Sequence, residues 1–178
     1  MPSNFPEIRT PNYLLRQFSD ADLENVYRGL SNEAVIKHYG ISYKNLEATK
    51  EQMTWFADLE VNGTGLWWAI CSLDNSTFYG GGGFSDLNAK LKKAEIGIWL
   101  YPEYWGRNIM SEVIPFICAY GFKVHDLHRI EGFVETENIA CIAAMNKLGF
   151  VNEGILRECE LQGETFISLQ IFSKLKTD

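Results

Sequence analysis

The chain has 178 residues, 46% of them hydrophobic, enough for one well-packed core with no compositional seam, so a single domain over 1–178 is expected. A formal net charge of -7 argues against nucleic acid as the main partner, and the longest apolar stretch, near 113–122, carries Pro115 and is too short to cross a membrane. Cys71, Cys118, Cys141 and Cys159 lie far apart with no Cys-x-x-Cys spacing, and Met-Pro-Ser-Asn-Phe-Pro at the start lacks the basic and apolar regions of a signal peptide; free thiols in the cytoplasm are expected.

In chain order, residues 13–18 read as a first strand, followed by Ser19 and Asp22 spaced as a capping box with a shortened acid. The next helix carries Leu23, Val26, Tyr27 and Leu30 on one face; a short helix over 33–38 and a longer one over 46–61 follow. After the Asn62-Gly63-Thr64-Gly65 turn, residues 66–73 form an apolar strand that returns through Asp74-Asn75-Ser76 into 77–87. That returning strand contains Gly80 to Gly83. No helical pattern follows it, so a bulged strand in close contact with a ligand or another backbone is expected there, and not a nucleotide loop. Residues 88–93 form a basic turn.

The central stretch runs from Glu95 to Glu112. Ile96, Ile98, Trp99 and Leu100 form a buried strand ending at Pro102, while Ile109, Val113, Phe116, Ile117 and Tyr120 recur at helical spacing. Between them Gly106-Arg107-Asn108 turns into the helix, leaving unpaired N–H groups that, with the helix dipole, suit a phosphate. Pro115 should bend this helix near Ser111. A strand over 129–134, a short helix from Asn138 capped by Gly149, and a hairpin of 150–161 with 164–175 complete an α+β pattern with a mixed sheet.

The string Glu95-Ile-Gly-Ile-Trp-Leu100 followed by Trp105-Gly-Arg-Asn-Ile-Met-Ser-Glu112 resembles the acetyl-CoA-binding motif of the GNAT N-acetyltransferases. The branch it is most similar to contains the ribosomal-protein N-terminal acetyltransferases, whose turn reads Trp-Gly-Lys-Gly-Tyr-Ala-Thr-Glu. Asn138-Ile-Ala-Cys141 leading to Lys147-Leu-Gly-Phe150 resembles that branch's second motif, and Thr10 to Arg16 with Ser19 to Asp22 resembles its first strand and helix. The resemblance implies a three-layer αβα fold with a mostly antiparallel sheet splayed between the central strand and the strand after the main helix. It also implies acetyl transfer from acetyl-CoA, as cosubstrate, to a primary amine. A protein N-terminal amine is the first acceptor considered; a polyamine or aminoglycoside is a second, and a weakly catalytic CoA-binding module is a third reading. The chain would act as a monomer or homodimer.

By the same resemblance, Leu100 and Tyr101 pair with the pantetheine arm, the amides of Arg107, Asn108, Ile109, Met110 and Ser111 take the pyrophosphate, and Asn138 fixes the arm from the opposite side. Glu95 stands where several GNAT enzymes carry a glutamate base; the competing reading pairs it with Lys92 or Lys93. Many of these enzymes place a tyrosine acid where this chain has Met145, and this branch a serine where it has Cys141, a thiol that could donate a proton or simply fill the core. Tyr101 and Tyr104 stay open as donors from the loop, and Ser168 replaces an acidic residue frequent in the branch. His38, His125 and His128 share no ligand spacing, so no metal site is read; Trp67, Trp68, Trp99 and Trp105 are expected in the core.

Overall fold

The computed structural model describes residues 5–178. In chain order it contains β1 (Ile8–Arg9), β2 (Tyr13–Arg16), α1 (Leu23–Leu30), α2 (Glu33–Ile36), α3 (Leu46–Asn62), β3 (Leu66–Ser72), β4 (Phe78–Asn88), β5 (Lys93–Leu100), α4 (Ile109–Val124), β6 (Arg129–Glu135), α5 (Ile139–Lys147), β7 (Val151–Gln162) and β8 (Thr165–Leu175). The strands make one sheet in the order β1-β2-β3-β4-β5-β6-β8-β7. Every neighbouring pair is antiparallel except β5 with β6.

Alternation along β5 sorts its side chains to the two faces of the sheet. Ala94, Ile96 and Leu100 pack with Ile109, Val113, Ile114 and Ile117 of α4 and Met145 of α5. Trp99 and Tyr101 pack on the other face with Trp67 and with Val26, Leu30, Val35, Phe56 and Leu59 from the first three helices. Each fully buried aliphatic side chain contributes roughly 1.5–3 kcal/mol, so both faces hold the central strand in place. The result is the three-layer αβα arrangement expected from the sequence. Among the described residues no helix is long and apolar enough to cross a membrane.

The glycine run of β4 is a site of backbone crowding. A Cβ on Gly83 would lie 2.2 Å from the Leu66 carbonyl oxygen, and one on Gly80 would lie 2.1 Å from that of Trp99. The register slips beside Ile70 and Cys71, which gives the bulged strand anticipated there. Across the sheet, Gly97 leaves room for the Trp67 ring, whose Cζ2 would be 2.8 Å from an added Cβ.

Some elements differ from the sequence reading. β1 was not anticipated: two residues between Pro6 and Pro11 carry no periodic signal, and only pairing with Leu14 and Leu15 makes them a strand. Trp105 is 50% exposed and not core, because β5 ends before Pro102 and the strand alternation stops there. Asp22 does accept the Ser19 N–H at 2.8 Å, as a capping acid would, and it also receives both prongs of Arg16 at 2.8 Å.

Candidate active site

The parallel pairing of β5 with β6 is brief: Lys93, Ala94 and Glu95 face Arg129, Ile130 and Glu131, and no further pair forms. On its other side β5 stays paired with β4 up to Leu100, and β6 stays paired with β8 up to Glu135. The two strands therefore part beyond Glu95, and main-chain groups of residues 96–100 line an opening. Tyr101 donates its N–H to the Tyr79 carbonyl at 2.9 Å. In an antiparallel pair the bonded residues alternate, so Trp99 and Gly97 turn toward β4 while Ile98 and Leu100 turn toward the opening. The Leu100 carbonyl accepts the Trp105 indole N–H at 2.9 Å, on that same side. Of the two expected pantetheine partners, Leu100 faces the opening; the Tyr101 amide is committed within the sheet, and its hydroxyl donates to the Asn25 carbonyl at 2.8 Å.

Glu95 stands at the point where the strands part. Its carboxyl is half-buried and has no hydrogen bond or ion pair among the described residues. Burial first, and then the charges of Asp86, Glu160 and Glu131, push it up to about 7. The lysines that could have neutralised it are engaged elsewhere: Lys92 with Asp126 at 2.6 Å and Lys93 with Glu131 at 2.9 Å. Glu131 also accepts Arg129 at 2.7 Å, whereas Asp86 and Glu160 have no ion pair among the described residues. The charge of Glu95 in turn raises the Tyr39 hydroxyl, which burial already holds high.

Past β5, a turn of 3-10 helix over Pro102–Tyr104 leads into α4. Gly106 and Asn108 both adopt left-handed conformations, at φ 73° and 63°. Asparagine tolerates this region better than most residues. None of the backbone N–H groups of residues 106–111 finds an acceptor among the described residues, and the turn itself is exposed. The Arg107 guanidinium sits 5.3 Å from the centre of the Tyr104 ring, and Lys147 reaches the Asn108 side-chain oxygen at 3.4 Å. A row of free donors with two nearby cations at a helix start is suited to a phosphate. Lys147 arrives from α5 across the fold, so spacing along the chain could not have shown it.

On the β6 side, Asn138 caps α5 by accepting the Cys141 N–H at 3.1 Å, which leaves its side-chain N–H groups free to reach outward. Cys141 packs against the main core, and burial pushes its thiol up to about 11. A proton passing from it to an ordinary thiolate near 8.5 would climb roughly 3 kcal/mol, so it is a poor acid. Met145 is 4% exposed and inside the same core. Ser168 uses its carbonyl and hydroxyl oxygens to hold Thr136 and Glu158. One acid–base pair escaped the sequence reading: His38, just after α2, hydrogen bonds through Nδ1 to the Glu135 carboxylate at the end of β6. These residues are 97 apart in the chain, and no local motif links them.

A parted central strand pair, a turn of free amides at the following helix and a half-buried carboxyl at the parting could together take an extended, phosphate-bearing ligand. Residues 12–151 match the family model described as Acetyltransferase (GNAT) domain. The chain is 34% identical over 173 residues to the uncharacterized N-acetyltransferase YoaA of Bacillus subtilis, covering 97% of this chain and 98% of that one. It is 34% identical over 85 residues to Escherichia coli spermidine N(1)-acetyltransferase, 48% of this chain and 43% of the relative. In fold it superposes on spermidine N-acetyltransferase from Vibrio cholerae, solved with CoA and spermine, at a TM-score of 0.82 and 19% identity, covering 93% and 96% of the two chains. It superposes on RimL, a ribosomal L7/L12 alpha-N-protein acetyltransferase solved with coenzyme A, at 0.85 and 18% identity, covering 96% and 98%. The chain belongs to the GNAT acetyltransferase family. It is an N-acetyltransferase with acetyl-CoA as donor.

Proposed function

We propose that this enzyme acetylates a protein or peptide N-terminal α-amine in the cytoplasm, with Glu95 as the base. The observation that carries this reading is the unpaired Glu95 carboxyl near 7 where β5 and β6 part. An α-amine near pH 8 costs about 1.4 kcal/mol to deprotonate at neutral pH, within reach of such a carboxylate; a lysine side chain near 10.4 costs about 4.6 kcal/mol. The Leu100 N–H then donates to the thioester oxygen as charge builds on it, and the amides of Arg107 to Ser111, with Arg107 and Lys147, hold the pyrophosphate. Asn138 fixes the pantetheine arm with its free amide N–H groups. Cys141 takes no proton-transfer role in this reading, because burial keeps its thiol near 11. The four unpaired thiols support a reducing compartment.

One observation favours a second acceptor class. Asp86 and Glu160 stand without ion pairs in electrostatic reach of Glu95, and such a field attracts a substrate with more than one positive charge, such as a polyamine. The release of CoA thiol from acetyl-CoA in the presence of an alanyl peptide, spermidine or an aminoglycoside separates the readings. Preferential turnover of the peptide is expected; turnover of spermidine alone would move the assignment to the second class, and no thiol release with any acceptor would leave a CoA-binding module.

A further inference from the structure

The fold supplies a base candidate, but the two positions where the family resemblance puts an acid offer none that is ready: Met145 cannot donate a proton, and Cys141 holds its proton too tightly. The His38–Glu135 pair meets that need by geometry. Continuing the register of Glu95 with Glu131 four residues further along each strand sets Glu135 level with Trp99, across the opening and at the height of Leu100. The Glu135 side chain is 8% exposed and that of His38 18%, so the pair is shielded. Two contacts fix the segment that carries it: Gln162 at the β7–β8 turn donates to the Lys37 carbonyl at 2.9 Å, and Tyr39 donates its N–H to Ile36. The next residue, Tyr39, lies within the field of Glu95, so the segment that carries His38 is in electrostatic reach of the point where β5 and β6 part.

A carboxylate on Nδ1 fixes the imidazole tautomer: the proton sits on Nδ1 and the Nε2 lone pair is free. His38 Nε2 has no partner among the described residues. We propose that His38 is the proton shuttle of the transfer step and Glu135 its positioning residue, an inference that rests on the acetyl-transfer reading above. The neutral amine nitrogen bonds to the thioester carbon, and the proton it must then lose passes to His38 Nε2. The carbon–sulfur bond breaks, its electron pair leaving on sulfur, and the imidazolium returns that proton to give CoA–SH. The net change is amine plus acetyl-CoA to N-acetyl amine plus CoA, with His38 and Glu135 restored.

The test pairs kinetics with a measurement that needs no acceptor. With an alanyl peptide and, separately, spermidine, His38→Ala should lower kcat at least 100-fold with KM for acetyl-CoA within threefold, and added imidazole should restore part of it. Glu135→Gln should lower kcat about tenfold. In nitrogen-15 NMR of the free enzyme, neutral His38 should carry its proton on Nδ1, and Glu135→Gln should mix the two tautomers. A kcat for His38→Ala within threefold of the parent, or a neutral His38 protonated on Nε2, overturns the inference. Absence of turnover with both acceptors overturns the acetyl-transfer reading instead, and the NMR result then decides the dyad alone.

Discussion

At the scale of single residues, the site depends on where charge is left unpaired. Glu95 keeps a raised carboxyl because Lys92 and Lys93 point to Asp126 and Glu131. As the proposed base it must be ionised, so kcat/KM should fall as pH drops below about 7, and Glu95→Gln should remove that acid limb together with most of the activity at neutral pH. A loss of equal size at every pH would mean that Glu95 positions groups and accepts no proton. The same shift has a sign for stability. The folded state holds the proton to about 7 against an ordinary 4.5, so the folded protein is favoured fully below pH 4.5 and loses that contribution as pH rises through 7. Glu95→Gln escapes the loss. It should unfold at a higher denaturant concentration than the parent at pH 8, by about 1–2 kcal/mol given its partial exposure, and show no such gain at pH 4. Glu95 and Asn108 could be singled out from the sequence, since each sits in a local motif. The His38–Glu135 and Lys147–Asn108 contacts could not, because only tertiary packing brings those partners together.

At the scale of elements, the strand–turn–helix from β5 to α4 was readable because its hydrophobic period changes from two to 3.6 at Pro102 and Gly106. The extent of the parting between β5 and β6 was legible only through family resemblance. Nothing in the two strands' own sequences says that pairing stops at Glu95; the commitment of β6 to β8 on its far side helps set it. Trp105 was misjudged because an aromatic beside a strand looks like core until the strand's end is known, and its indole instead closes the turn on Leu100. The glycines of β4 carry a prediction of their own. A Cβ at Gly83 meets backbone, which cannot rotate aside, so Gly83→Ala should destabilise the fold by roughly 1–3 kcal/mol in denaturant titration. An unchanged midpoint would mean that β3 and β4 separate more easily than their spacing indicates.

At the scale of the whole molecule, two layers of helix clamp a sheet that opens along one seam, and the proposed donor site lies where backbone donors are left over. Ligand binding to the folded state alone should then stabilise it, by about 2.7 kcal/mol when acetyl-CoA is a hundredfold above its dissociation constant. No thermal shift at millimolar acetyl-CoA would contradict that. The central claim is that the left-handed turn at Gly106 to Asn108 approaches the pyrophosphate closely, and calorimetric titration of acetyl-CoA into Asn108→Gly and Asn108→Val tests it most directly. Glycine adopts φ 63° freely, so its affinity should stay within tenfold of the parent, about 1.4 kcal/mol. Valine resists that backbone and should bind much more weakly. Equal affinities for the two variants would contradict the assignment of the phosphate site to this turn.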